Sequence, residues 1–517
     1  MLVSGAAISG ANGLHFGPDG LLYVASVIGS EIVVLDPKSG EVKRRIRQGV
    51  NNPDDVAFNR DGDLYWTSIL SGEVTGLRPD GTLVTAARLT PGTNPITFSP
   101  EGRLFVSQCF FDDKLYEVDP QGLNAPRLIS DQLGPGCGLN GMDWGPDGRL
   151  YGPRWFHGEV VSFDVDTREM RVEAKGFRVP AAVKFDSRGT LHVLDTAEGV
   201  VLRISGDGRE KVVSLSPGLD NLAFDQKDQL FVSSFVDGFV ARVDADGSHT
   251  LLTPSGLAHP GGLTLRDVGD GLEVVVADLQ AVRGFDAATG EPTFVHRNVF
   301  GVGELGSVTN VATDGENLLL TSWLGGTVKV WDPALQKVVE SHGELATPVS
   351  ALRYGGRIIV AEHGKGRVIA IGARGSKRPE VLATGLPAAT GLAVRDGDLF
   401  VSDRLRGEVL RIARAGSRLQ TPEVVASNLS APEGLAATDG GFLVVEADSG
   451  QIIEIAANGA NGAQSEVKSI ATTSPGTPAP TSAQPPSMVF NGVAVSRDGV
   501  VFATDETRRL VVRIEPH

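Results

Sequence analysis

The sequence predicts an all-β fold of twelve propeller blades, grouped as two six-bladed β-propellers, on three observations. One phrase, close to N/D-G-L-x-F-x-x-D-G-x-L-Y/F-V-x, returns from one end of the chain to the other. Its copies lie about 40 residues apart, the length of a blade built from four antiparallel strands. Within each copy, apolar and polar residues alternate with period two on either side of a Gly-containing turn, the pattern of a hairpin.

The chain has 517 residues, more than one compact core usually holds, so two domains are expected. Hydrophobic residues make up 41% of it, enough for packed cores. The 65 glycines and 29 prolines suit a chain of short strands and many turns. A formal net charge of −16 argues against a nucleic-acid partner or an anionic membrane surface. The expected partners are a small-molecule substrate and, on an open propeller face, another protein. The opening residues MLVSGAAISGANG lack a basic segment and a long apolar core, so no signal peptide is expected. No apolar run approaches the roughly 18 residues a spanning helix needs. Two cysteines, Cys109 and Cys137, are too few for a disulfide framework and favour a reducing, cytoplasmic setting. Cys109 lacks a recognisable catalytic partner and reads as a buried or turn residue.

Taken in order, copies open near Asn12, Asp54, Asn94, Asn140, Ala181 and Asp220, then near Gly261, Thr309, Ser350, Thr390, Glu433 and Asn491. In the first blade, strand A is NGLHF, B is LLYVAS, C is EIVVLD and D is the more polar EVKRRIR. The stretch Asn140 to Asp164 repeats this as NGMDW, RLYGP and EVVSFD. The pairs Asp19-Gly20, Asp61-Gly62, Asp147-Gly148 and Asp498-Gly499 supply the positive-φ residues of the A–B hairpins. The final copy stops after strand C. The first residues resemble a D-strand approach, so an N-terminal strand within 1–9 is expected to complete the last blade and cover its open edge. The expected division is 1–260 for the first propeller and 261–517 for the second. If the two chain ends meet in one blade, one propeller is inserted within the other. The Pro-, Ser- and Thr-rich stretch 470–487 is expected to be a disordered loop.

The blade phrase resembles the NHL-like and gluconolactonase (senescence-marker-protein) propellers, with the virginiamycin B lyase-like and strictosidine-synthase-like groups as neighbours. The likeness covers essentially the whole chain as architecture, but such folds host hydrolases, lyases and binding modules alike. In the gluconolactonase-like group, residues at the start of strand A hold one divalent cation in the central channel. Asn140 in LNGMDW looks like that group's Asn-Gly ligand, and Asp220 in LDNLAFD like its Asp ligand. The first blade departs from the pattern, offering Asn12 where the group has a Glu. The Glu-Gly phrase comes only later, at Glu433-Gly434.

Geometry supports part of this carry-over. Equivalent points of six blades converge on one axis, so Asn12, Asp54, Asn94, Asn140 and Asp220 would present oxygens to it. Such oxygens suit a hard divalent cation, Ca²⁺ before Zn²⁺ or Mg²⁺, with water completing the shell. The competing local role for each is to cap the turn into strand A. The B–C turns should line the channel mouth and bring Arg154, Trp155 and His157 there. Arg154 suits a carboxylate or oxyanion, and His157 suits a general base. His15 and His192 read as packing residues inside strands. Glu433 with Glu362, His363 and Asn491 forms a second candidate site. Asp403 reads as a turn-stabilising residue.

The resemblance implies a metal-dependent hydrolase of the gluconolactonase type acting on a lactone or ester. A virginiamycin B lyase-like elimination enzyme and a non-catalytic NHL-type binding scaffold are the alternatives.

Overall fold

A computed structural model describes residues 1–206, 208–372, 378–456, 467–472 and 489–516. Among the described residues, strands form twelve antiparallel sheets, eleven of four strands and one of three. In the first blade the strands are Ala11–Phe16, Leu22–Ser26, Glu31–Leu35 and Val42–Ile46, paired in chain order as A, B, C and D. These are the four strands expected from NGLHF, LLYVAS, EIVVLD and EVKRRIR. The hairpin glycines Gly20, Gly62, Gly148 and Gly499 have φ between +74° and +85°, where a side chain is strained.

The chain forms two compact units. One is Ala6–Ala258, and the other is Met1–Gly5 together with His259–His517. In the first unit the inner strands are Ala11–Phe16, Pro53–Phe58, Thr93–Phe98, Asp143–Trp144, Pro180–Phe185 and Leu219–Phe224. Ile8, Leu14 and Val33 of blade one pack in one apolar cluster with Phe231 and Val240 of blade six, which closes the ring. In the second unit the inner strands run from Leu263–Val268 to Val493–Val495, and the last lies against the first. Each unit is therefore a six-bladed propeller. The cores lie between neighbouring blades: Tyr23 and Val34 pack with Val56 and Trp66, and Phe105 and Leu115 with Met142 and Val161. Alternation along each strand causes this, since both faces of every sheet are covered by other sheets.

The twelfth sheet has three strands, ending in Leu510–Ile514. Beside that strand lie the first residues of the chain. Val3 pairs antiparallel with Val511, whose amide and carbonyl bond to the carbonyl and amide of Val3. Strand Val467–Thr472 takes up residues 470–472 of the Pro/Ser/Thr stretch. The expectation for the rest of 470–487 falls on residues outside those described.

Two readings change. The stretch NGMDW was expected to be a full strand, but only Asp143–Trp144 enters the ladder. Gly141 has φ +40°, and a Cβ there would lie 2.4 Å from that of Ala182, so the chain is pressed against blade five instead. The second change concerns Cys109 and Cys137. They form a disulfide across 28 residues, joining the B–C turn of blade three to the loop leading into blade four. Both are buried. Disulfides belong mostly to oxidising compartments, so the cysteine argument for a cytoplasmic setting falls away.

Candidate functional site

One local irregularity positions the candidate residues. In blade two the register steps from Pro53↔Ser68 to Val56↔Trp66, so Asp54 and Asp55 together oppose Thr67 alone. The same bulge places Asn12 and Gly13 opposite Ala25, and Asp220 and Asn221 opposite Ser233. In the second unit it places Thr390 and Gly391 opposite Ser402, and Glu433 and Gly434 opposite Val445. A bulge breaks the pleat and re-aims side chains. Here it recurs at the start of strand A, where the blades converge.

Hydroxyls hold these bulges and join one blade to the next. Thr67 Oγ1 accepts from the Asp55 amide at 3.2 Å and donates to the Asn94 carbonyl of blade three at 2.6 Å. Ser233 Oγ accepts from the Asn221 amide and donates to the Asn12 carbonyl, across the closure of the first ring. Thr504 Oγ1 accepts from the Gly492 amide and donates to the Gly261 carbonyl, across the closure of the second. The sequence carries this signal as the Ser or Thr near the end of strand B, at the last, variable position of the repeated phrase.

The first ring brings together Asn12, Asp54 and Asp220, with Asp55 beside them. Asn12 Nδ2 donates to Asp54 Oδ2 at 3.3 Å. Asp54 Oδ1 is buried and has no hydrogen-bond partner among the described residues. Burial, then the charges of Asp220 and Asp55, push the Asp54 carboxyl well above the usual carboxylate range. Burial and Asp55 push Asp220 to about 8, although the residue as a whole is only partly buried. Asp55 rises to about 6, chiefly through burial, and is held down by Lys184 and by the Val56 and Ile96 amides. Asp55 and Lys184 escaped the sequence analysis; the Asp54-Asp55 doublet was the available signal.

The other candidates behave differently. The Asn140 side-chain oxygen accepts from the Gly141 amide at 3.1 Å, the local capping role. Asn94 is buried at its blade start, and its carbonyl is the acceptor for Thr67. Arg154 is buried and bound within its own neighbourhood. Its Nε donates to the Leu133 carbonyl, Nη1 to Glu159 at 2.7 Å, and Nη2 to the Gly134 carbonyl and to His157 Nε2 at 2.9 Å. His157 is exposed on a single 3-10 turn, Trp155–His157. Its Nε2 lone pair is engaged by Arg154, so a base role would require that bond to open. The described bonds of both side chains stay within the turn and loop around them. His15 and His192 pack between blades, with ring centroids 5.8 Å from Phe58 and 4.8 Å from Phe224.

A divalent cation fits the first ring in its donor chemistry. Among the described residues, Asp54 and Asp220 are carboxylates with no positive group acting on them, one oxygen is orphaned, and Asn12 adds an amide. Among the described residues, no group of three or more His, Cys, Asp or Glu side chains is arranged to hold a metal. The remaining ligands would be amide oxygens and water.

The second ring has an axial cavity of about 350 Å³ lined by residues of all six inner strands or their approaches, among them Ser350, Thr390, Glu433 and Asn491. Glu433 is fully buried. Its Oε1 accepts from Arg404 Nε at 3.2 Å, and its Oε2 from the Asn491 amide at 3.0 Å and Asn491 Nδ2 at 3.2 Å. Burial raises the Glu433 carboxyl, and Arg404 works against that rise. Arg404 also reaches Asp448 at 3.4 Å. Glu362 is directed elsewhere, to the Ala346 amide and to Arg367. Asp403 accepts the Leu405 and Arg406 amides, a turn-stabilising role.

No family model matches the chain, and no curated protein matches it. Among solved structures, it is similar to a streptogramin B lyase, at 15% identity and a TM-score of 0.39, over 52% of this chain and 91% of that one. It is similar to virginiamycin B lyase from Staphylococcus aureus, at 13% identity and a TM-score of 0.33, over 52% and 91%. It is also similar to a gluconolactonase from Xanthomonas campestris, at 16% identity and a TM-score of 0.35, over 44% and 84%.

Proposed function

We propose that the first ring is a metal-dependent hydrolase site for a small lactone or ester, with Asp54, Asp220 and Asn12 holding a divalent cation, Ca²⁺ first among the candidates. The observation that carries this reading is the Asp54–Asp220 pair: two carboxylates at converging blade starts, both pushed toward protonation, one with an orphaned oxygen. Neutralising such a pair relieves the cost of burying it. When bound, a cation of this kind polarises a carbonyl and makes bound water more acidic. Asp54 and Asp220 would anchor it, and Asn12 would fix the orientation of Asp54 through its amide donor. Asp55, raised by burial and partly offset by Lys184, would add charge beside the site as pH rises. Asn94, on the blade next to that of Asp54, would add a further oxygen, and Asn140 could do so only beside the bond its oxygen already accepts from the Gly141 amide. The arrangement of Arg154 and His157 supports a positioning role for the loop Leu133–Gly134 ahead of direct chemistry.

The test is calcium titration of the whole protein by calorimetry, with hydrolysis of a panel of γ- and δ-lactones and aryl esters. Saturable binding lost in Asp220→Asn and Asp54→Asn, together with turnover that needs the same cation, supports the proposal. Absence of binding by Ca²⁺, Mg²⁺ and Zn²⁺ up to millimolar concentration overturns it. Binding without turnover favours the scaffold reading, and an elimination product favours a lyase.

A further inference from the structure

Near the middle of strand A, the strand pairing picks out one equivalent position in every blade, as where His15 faces Tyr23 and Ala393 faces Phe400. In the second ring that position holds Thr264, Ala312, Leu352, Ala393, Ala436 and Ala494, and every one of them lines the axial cavity. In the first ring the same register gives His15, Ala57, Thr97, Asp143, Lys184 and Ala223. The shared architecture therefore sets an imidazole, a carboxylate and an ammonium around the axis of the first ring, at a level where the second ring is almost wholly apolar. Alanine fills the position in several blades of both rings, so the fold itself does not call for these three side chains.

They are also left open. All three are half-buried, so each keeps surface that a solute can reach. His15 Nδ1 meets the Phe16 carbonyl at 2.8 Å. A carbonyl only accepts, so Nδ1 carries the proton and Nε2 offers a lone pair. Among the described residues Nε2 has no hydrogen-bond partner, and it is not one of the atoms sealed from solvent. Burial, and next Lys184, disfavour a second proton on the ring, so it remains an acceptor near neutral pH. Lys184 Nζ donates to the Met142 carbonyl at 2.9 Å, which leaves the rest of its protons uncommitted. Asp143 accepts the Trp144 amide at 3.0 Å on one oxygen and the Phe185 amide at 2.9 Å on the other. Those bonds fix the carboxylate between blades four and five without neutralising its charge. Among the described residues, neither Lys184 nor Asp143 has an ion-pair partner, although they stand on neighbouring blades.

Charge decides what such a site takes. With His15 neutral, Lys184 and Asp143 sum to zero. Asp55, nearer the start of its strand in blade two, adds negative charge as pH rises. A bare anion would meet Asp143 and Asp55, and a bare cation would meet Lys184, each at a cost. A molecule with a positive and a negative end finds an opposite charge for both, and the imidazole lone pair takes an N–H of the positive end.

We propose that the channel of the first ring, further along its axis than the blade starts, binds a small zwitterionic amino acid, with Lys184 holding its carboxylate and Asp143 and His15 Nε2 accepting from its ammonium. This site does not depend on the cation proposed for Asp54 and Asp220.

The experiment titrates the full chain with glycine, β-alanine and γ-aminobutyrate, whose charged ends lie progressively further apart, and reads binding by calorimetry and saturation-transfer NMR. Chelator is present throughout, so the result is separate from that of the cation titration. At least one probe binds saturably. Lys184→Gln weakens that binding about tenfold or more, and Lys184→Arg, which keeps the charge, retains most of it. His15→Phe, which preserves the packing on Phe58 but removes the acceptor, weakens it by a smaller factor. Asp143→Asn gives a second route to the result should Lys184→Gln fail to fold, and it too weakens binding about tenfold. The proposal is overturned if none of the three probes binds at tens of millimolar, if folded Lys184→Gln or Asp143→Asn binds as tightly as the wild type, or if acetate or ethylammonium competes as effectively as the amino acids.

Discussion

At the scale of single residues, burial decides what each charged group does. Asp220 and Arg154 both read as functional from sequence, yet they meet opposite fates. Arg154 finds a carboxylate, two carbonyls and an imidazole within reach and becomes a brace. Asp220 meets other carboxylates, and its proton is held to about pH 8. That shift fixes the sign of a pH effect. A carboxyl whose pKa is raised on folding contributes most below its unfolded value near 4 and loses that contribution as pH rises through the folded value. In chelator-treated protein the first ring should therefore lose stability between about pH 4 and pH 8, with a slope of at most about 1.4 kcal/mol per pH unit for each such group. Asp220→Asn should flatten the curve. Chemical denaturation at pH 5 and pH 8 checks this, and equal stability at both pH values in the wild type would count against the buried acid pair. None of this was legible in the sequence, because the neighbours that set the shift lie in other blades.

At the scale of the element, the bulge at the head of strand A and the hydroxyl opposite it act together. The bulge sets two residues of strand A against one of strand B, the second of them, Asp55, accepting the Val56 and Ile96 amides, and the hydroxyl ties the bulge to the next blade. Gly13 shows how close that approach is: a Cβ there would lie 2.0 Å from Asp55 Oδ1 and 2.6 Å from its Cα. Glycine is thus required by packing at a position where the φ angle alone does not demand it. Replacing the tie by an apolar isostere removes one donor and strands a buried amide. Thr67→Val and Thr504→Val should each cost about 1–3 kcal/mol. The first should lower the unfolding midpoint of the Ala6–Ala258 unit and the second that of the other unit, as read by urea denaturation with a local fluorescence probe in each. No change in either midpoint would mean that water replaces the tie. The strands themselves were readable, because period-two alternation and Asp-Gly turns are local properties. The bulge was not readable, since it depends on how Pro53 and Val56 register against a partner strand. The shortening of NGMDW has the same origin, in the press of Gly141 against Ala182.

At the scale of the whole molecule, the first five residues matter more than their number suggests. They belong to the unit that contains the C-terminus, through the pairing of Val3 with Val511. A Cβ on Gly5 would lie 1.7 Å from the Arg509 carbonyl oxygen, and one on Gly290 2.3 Å from that of Leu2, so the segment is closely enclosed. Deleting residues 1–5 exposes the edge of the twelfth sheet. The truncated chain should show a lower melting transition for the His259–His517 unit and faster proteolysis of the C-terminal strand. The transition of the Ala6–Ala258 unit should stay within about 1 °C. Unchanged melting of both units would show that the segment adds nothing.

The sequence by itself determined the fold class, the blade count and the strand order, because each rests on a repeat some 40 residues long whose periodicity and turns are local. It also marked Asn12, Asp54 and Asp220 as polar residues at converging blade starts. Only the tertiary structure decided which of those residues meet, which side chains are consumed as braces, and that Cys109 and Cys137 join. Those outcomes depend on contacts between separate blades, where a shift of an ångström makes the difference between a satisfied hydrogen bond and an orphaned oxygen.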